Sequence, residues 1–233
     1  MPSPARRAVT TVLAPAAFAL PLALVPTAGA AVPSALTPQM AAIQQESDAN
    51  PLVRTAQQYT AALKKLQGPP FEQAFVVGMI PHHRMAVAMA EVELAHGTRP
   101  ELKALAQQIV TAQDREMSEM TTWLKDWDGL TQAQAAARVP ADVWKTMRTM
   151  QADMGAMTSH LTSMPTGESV DQAFLEAMIS HHEAAVLVAG TVPGRATHSQ
   201  LTALARSVVT SKSAEVAQMR TWLRDWYGKS TTS

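Results

Sequence analysis

The 233-residue chain has no cysteine, only 5% aromatic and 16% charged residues, and no basic cluster. Without thiols it forms no disulfide and carries no thiolate ligand or cysteine-linked lipid. Packing alone must hold the fold, and any soft metal must be met by imidazole and thioether. Lys plus Arg and Asp plus Glu balance at 19 each, and an evenly charged surface excludes nucleic acid as a partner. Strand-like alternation is absent, which excludes a sheet-based fold. No phosphate-cradling glycine loop, nucleophile–base arrangement or zinc-protease signature occurs. What the chain does have is 14 methionines, seven histidines and 47% hydrophobic residues.

The first thirty residues read as an export signal. Arg6 and Arg7 form a positive start, Ala8 to Val25 is uncharged and mostly apolar, and Ala28-Gly29-Ala30 fits a small-residue cleavage site. Pro15, Pro21 and Pro26 interrupt the apolar run and argue against a membrane-spanning helix. The paired arginines hint at export of a folded protein. Removal of this segment leaves 17 basic against 19 acidic residues, a net charge near −2. About 200 residues then remain, enough for one domain with a sizeable core. The expected location is outside the cytoplasmic membrane, secreted or periplasmic, with no stable membrane span after cleavage.

The chain is internally duplicated. Phe75-Val-Val-Gly-Met79-Ile80-Pro81-His82-His83 returns as Phe174-Leu-Glu-Ala-Met178-Ile179-Ser180-His181-His182, and Trp123-Leu124-Lys-Asp126-Trp127 returns as Trp222-Leu223-Arg-Asp225-Trp226. The offset is a constant 99 residues, as from His82 to His181. Helical periodicity and breakers predict helices over 37–67 (kinked or split at Pro51), 71–96, 101–127, 141–163, 170–190 and 199–227, with a short Ala-rich link over 131–138. The predicted fold class is all-α, a ferritin-like four-helix bundle of two repeated helix pairs (72–127 and 171–226). The N-terminal extension over 31–67 and the Met-rich connecting helix over 141–163 are extras packed outside it or across one end, and 228–233 is a disordered tail.

The chemistry concentrates on the repeated faces. Phe75, Met79, His82, Ala86 and Met89 are spaced as one helical stripe, which puts His82 on the core-facing seam and His83 at its edge. The second copy gives Phe174, Met178, His181, Ala185 and Val188. Adjacent histidines do not readily chelate one ion from a regular helix, so one ligates while its neighbour binds a second ion or supports the first. Pro81 removes a helical hydrogen bond beside the histidines and predicts a kink, which Ser180 in the second copy does not require. On the following helix Ile109, Gln113, Glu116, Met120, Trp123 and Trp127 form a stripe whose polar middle needs partners if buried. Imidazoles of the facing helix would supply them. The second copy keeps Glu215, Met219, Trp222 and Trp226 but has Lys212 in place of Gln113. The alternative reading is a structural His–Glu network holding the bundle in register.

A separate stripe of Met147, Met150, Met154, Met157, His160 and Met164 suits Cu(I) or Ag(I), or else is a plain core face of pliable side chains. The tryptophan pairs read as apolar plugs closing the bundle ends, and His96 and His198 as ordinary surface residues.

The doubled Met-Ile-x-His-His motif, with Ala86, Met89-Ala90, Leu105-Ala106, Gln113, Glu116, Met120 and Trp123-Leu124 and their counterparts Glu183, Ala185, Leu204-Ala205, Glu215 and Met219, resembles the family called domain of unknown function 305. The resemblance runs over about residues 68–226. It implies an exported ferritin-like helical bundle, in some members copper-binding and linked to copper tolerance. It also implies Met79, His82, His83, Met89, Met178, His181 and His182 as metal ligands; the stripes of the partner helices add Gln113, Glu116, Met120, Glu215 and Met219 as supporting or possible further ones. Val188 stands where the family often has Met, and Lys212 where it usually has Gln.

These readings favour an exported protein that sequesters or delivers copper, as Cu(I), Cu(II) or both, without enzymatic turnover. Imidazole alone would also accept other divalent transition metals; the methionines favour Cu(I). A ferritin-like di-metal oxidoreductase is the second reading, although such centres use more carboxylates and Glu-x-x-His pairs. A structural or interaction module with non-ligating histidines is the third. A homo-oligomer or a copper-handling partner is compatible with each.

Overall fold

A computed structural model describes residues 50–165 and 167–229. The export signal, the start of the N-terminal extension and the last four residues lie outside them. Among the described residues every regular element is an α-helix: α1 (Pro51–Leu63), α2 (Gly68–His96), α3 (Pro100–Asp128), α4 (Gln132–Ala136), α5 (Ala141–Thr162), α6 (Glu168–Ala189) and α7 (Ser199–Tyr227).

The sequence sets the ends locally. Pro51 does not kink a described helix but starts one, where its missing N–H is no loss. The Asn50 side chain caps it, accepting from the Leu52 and Val53 N–H groups. Gly68-Pro69-Pro70, which falls between the expected helices over 37–67 and 71–96, forms the first turn of α2 for the same reason. Gly129 and Gly228 close α3 and α7 in the left-handed conformation at φ 68° and 63°. The Ala-rich link contains α4, held by a reciprocal capping box between Thr131 and Gln134. Pro81 lies inside α2, which continues through it.

The two histidine helices α2 and α6 run antiparallel through the centre. The half of α2 from Phe71 to Ile80 shares one apolar cluster with Ala184–Ala189 of α6, and Ala86–Ala90 shares the other with Val170–Ile179. Helix α3 packs along α2 and α7 along α6, while α1 and α5 pack on each other and against both histidine helices. The central helices are thus covered from two sides. From Phe71 to Ile80 every residue of α2 is buried, which is why the stretch from Ala74 to Ile80 is apolar on all faces rather than amphipathic.

Helix α1 inserts Leu52, Val53, Tyr59 and Leu63 fully into this core, each worth about 1.5–3 kcal/mol of burial. Tyr59 lies across α2 and donates to the Ala74 carbonyl at 2.7 Å. A Cβ on Gly78 would stand 2.2 Å from that hydroxyl. The second copy, with no such tyrosine against it, has Ala177 at the matching position.

The duplication appears in the packing as cross-repeat clasps. Glu72, at the start of α2, accepts from the Thr197 and His198 N–H groups at 2.8 and 2.7 Å and so caps α7. Asp171, its counterpart on α6, accepts from Thr98 and Arg99 and caps α3. The Gly68 N–H donates to Arg195 O and the Gly167 N–H to His96 O, again at matched positions. The tryptophan pairs stack at 5.1 and 5.2 Å and are only partly buried. They do more than plug the ends: Trp127 lies 3.9 Å beneath the His198 ring, and the Arg99 guanidinium lies 4.2 Å over Trp226. His198, which reads as an ordinary surface residue, is therefore stacked and also bonded to Glu72 at 2.9 Å.

Candidate metal centre

Between the two apolar clusters, at the middle of α2, α3, α6 and α7, lies a buried polar layer. It holds His82, His83, Gln113, Glu116, His181, His182, Lys212 and Ser213, with Glu215 at its rim. All four imidazoles are at most 1% exposed. His83 is thus fully buried rather than at the edge of a seam, because α2 is covered on two sides.

Pseudo-symmetry fixes the contacts. His83 Nε2 donates to Glu116 Oε2 at 2.7 Å, and His182 Nε2 donates to Glu215 Oε2 at 2.6 Å. The His82 and His181 rings meet at 3.8 Å between centroids, and His181 Nε2 donates to the His82 carbonyl at 3.0 Å. Neighbouring rings on each helix are 6.1 and 6.0 Å apart. The four imidazoles therefore form a chain, His83–His82–His181–His182, with a carboxylate at each end.

Burial pushes all four imidazoles below their ordinary pKa, His82 and His181 furthest. Mutual repulsion and the Lys212 ammonium push His82 the same way. Burial also opposes ionisation of the carboxylates. The His83 hydrogen bond nevertheless leaves Glu116 lowered, and Lys212, 3.4 Å from Glu215, together with His182 brings Glu215 down to about 2. Neutral imidazoles thus face ionised carboxylates.

The proton positions follow. A carboxylate and a carbonyl can only accept, so Nε2 carries the hydrogen in His83, His181 and His182, and Nδ1 carries a lone pair. Those three Nδ1 atoms, both His82 ring nitrogens and Gln113 Oε1 are buried without a hydrogen-bond partner. Leaving them unmet costs free energy unless something electron-poor fills the gap. Carboxylate-bound imidazole presenting its other nitrogen is the arrangement that orients metal-ligating histidines. The donors therefore fit a soft or borderline cation. Among the described residues, no group of three or more His, Asp or Glu side chains is already arranged to hold one ion, so thioethers or ring rotation must complete any such site.

The methionines divide between the flanking clusters. Met79 and Met120 lie in one, and Met89, Met178 and Met219 in the other, all fully buried. Met147, Met150 and Met154 are packed in the first cluster, Met157 and Met164 are partly buried, and His160 is exposed. The Met-rich stripe is thus not brought together on one face with its histidine. Besides Glu116 and the clasp residues Glu72 and Asp171, two further acids are buried without any signal in the helical periodicity. Glu183 pairs with Arg220 at 2.6 Å, and Glu93 folds back over Gly97, where a Cβ would stand 2.0 Å from its carboxyl oxygen.

No curated protein matches the chain. Solved structures do. CopM in its Cu(I)-bound form is 32% identical, with a TM-score of 0.53, over 67% of this chain and 98% of that one. CopM structures with Cu(II) and with Ag match similarly, at 31% and 32% identity. A DUF305 protein from Streptomyces coelicolor, described as a candidate secreted protein, is 26% identical over 68% of this chain and 95% of its own, with a TM-score of 0.57. A DUF305 fragment from Deinococcus radiodurans shares the fold at 23% identity and a TM-score of 0.53, over 69% of this chain and 99% of that one. The signature described as "Domain of unknown function (DUF305)" matches residues 27–121 and 72–223, and the chain belongs to that family.

Proposed function

We propose that this protein is an exported copper-binding protein that holds Cu(I) in the polar layer and sequesters or delivers it without turnover. The observation that carries the reading is the set of partnerless imidazole nitrogens in an apolar interior, each of three held in a ligand-presenting tautomer. His82, His83, His181 and His182 are the candidate imidazole ligands, and Met79, Met89 and Met178 the candidate thioether ligands. Glu116 and Glu215 orient His83 and His182, and Met120 and Met219 are further soft donors beside the layer. With no cysteine in the chain, imidazole and thioether are its soft donors, and this layer is where they meet partnerless imidazole nitrogens. The likeness to CopM, whose structures hold Cu(I), Cu(II) and Ag, supports the choice of metal.

Export rests on the N-terminal segment and agrees with the description of the Streptomyces coelicolor relative. Among the described residues no helix is long and apolar enough to cross a membrane.

The test is an anaerobic Cu(I) competition titration of the protein from Ala31, beside a variant with His82, His83, His181 and His182 changed to Ala and checked for helicity. Tight binding lost in the variant is expected. Equal binding in both would move the site to the Met147–Met164 stripe. No binding in either would leave the layer as a structural His–Glu network.

A further inference from the structure

The layer is symmetric in its histidines and carboxylates but not in its charge. The 99-residue offset carries Gln113 onto Lys212, and both are 1% exposed. Each sits one turn before the glutamate that holds a histidine. Gln113 presents a partnerless oxygen to the layer. Lys212 presents three N–H donors and no acceptor, and its Nζ lies 3.4 Å from Glu215 Oε2, the oxygen that also receives His182. Glu116 has no ammonium in hydrogen-bond contact among the described residues, and Lys212 reaches it only through its longer-range field. Arg115, the other cation acting on Glu116, is solvent-exposed and directed to Glu119 at 3.8 Å.

We propose that Lys212 is a built-in cation filling the second half of the layer, so that the duplicated motif takes a single monovalent ion, on the His83–Glu116 side. This rests on the copper reading and adds its stoichiometry and charge selectivity. With neutral imidazoles, Glu116 and Glu215 contribute two negative charges and Lys212 one positive, leaving the bare layer at one negative charge. One Cu(I) or Ag(I) brings it to neutrality. A second such ion, or one divalent ion, leaves an uncompensated positive charge between two apolar clusters, which is strongly disfavoured. On the second side the ion would also have to displace the ammonium from Glu215. Duplication thus supplied two half-sites, and Lys212 neutralises the carboxylate of one from within, leaving the carboxylate of the other to be neutralised by the bound ion.

The experiment is an anaerobic Ag(I) titration of the protein from Ala31, with bound ions counted by native mass spectrometry. The four-histidine variant supplies the baseline of histidine-independent binding. The parent is expected to hold one ion above that baseline, and Lys212→Gln, which copies a side chain the first repeat already buries, to hold two. Gln113→Lys is expected to lose the parent's ion. Lys212→Met repeats the count with an uncharged chain of similar length should the Gln variant not fold. Two histidine-dependent ions in the parent, or no gain on removing Lys212, would overturn this inference and leave the copper reading standing. No histidine-dependent ion in any variant would overturn both.

Discussion

Acid should destabilise the metal-free protein well above the range where its carboxylates titrate, because four histidines are buried neutral. In the unfolded chain each binds a proton with a pKa near 6.5; in the fold burial holds each below that value. A depressed histidine contributes stability that is present above the unfolded pKa and lost as pH falls below it. Between pH 7 and pH 5.5, four imidazoles that stay neutral in the fold together lose at most about 5 kcal/mol. Glu93 acts the other way. Burial, with the neighbouring Asp171 carboxylate, raises its pKa to about 8, so the folded state holds a proton that the unfolded chain has released. That proton returns about 2 kcal/mol over the same interval. Glu116 and Glu215 are lowered, so their contribution falls away only nearer pH 4. The net loss is at most about 3 kcal/mol, a large share of the 5–15 kcal/mol typical of a domain. Urea unfolding in the presence of a chelator at pH 7, 6.5, 6 and 5.5 should show the midpoint dropping steadily. In Glu93→Gln the drop should steepen toward about 5 kcal/mol. A midpoint that is level or rises from pH 7 to pH 5.5 would refute the neutral, buried histidine layer.

Gly78→Ala places a methyl 2.2 Å from the Tyr59 hydroxyl and should cost about 1–3 kcal/mol by overpacking; thermal melting should show partial recovery when Tyr59→Phe is added. Glu72→Ala removes the acceptor of the Thr197 and His198 N–H groups that lead into α7 and should cost about 2–3 kcal/mol. Asp171→Ala should cost a similar amount at the opposite pole, and the double variant should be additive within about 0.5 kcal/mol in denaturant titrations; strong coupling would contradict two independent clasps. Glu116→Gln leaves His83 without its ionised partner and, on the copper reading, should weaken Cu(I) about 10–100-fold in chelator competition. Unchanged affinity there would mean that His83 is not a ligand.

Much of the fold is legible without coordinates because it is local. Helix periodicity and breakers place α3, α5, α6 and α7 to within a residue or two, and α7 begins and ends at the expected Ser199 and Tyr227. The polar centre of the α3 stripe, Gln113 and Glu116, correctly announces a facing histidine, since buried polar groups need partners and α3 follows α2 by a short turn. The prolines are less legible. Pro51 and Pro69-Pro70 are breaks in a periodicity reading, yet in the structure they open helices, because a helix start lacks the very hydrogen bond that proline cannot make.

What the sequence by itself determined is therefore the all-helical character, the duplication with its 99-residue offset, and which residue types each face carries. Only the tertiary structure decided that α2 and α6 cross antiparallel at their histidines, so that His82 and His181 meet ring to ring. It also decided that Glu72 and Asp171 cap the other repeat's helix and that His198 is stacked on Trp127. It confined Lys212 to the same layer as four imidazoles and two carboxylates. Periodicity reports how a helix divides its own faces. Contacts between residues about a hundred positions apart depend on how those faces meet, and that is set by burying every helix against several others at once.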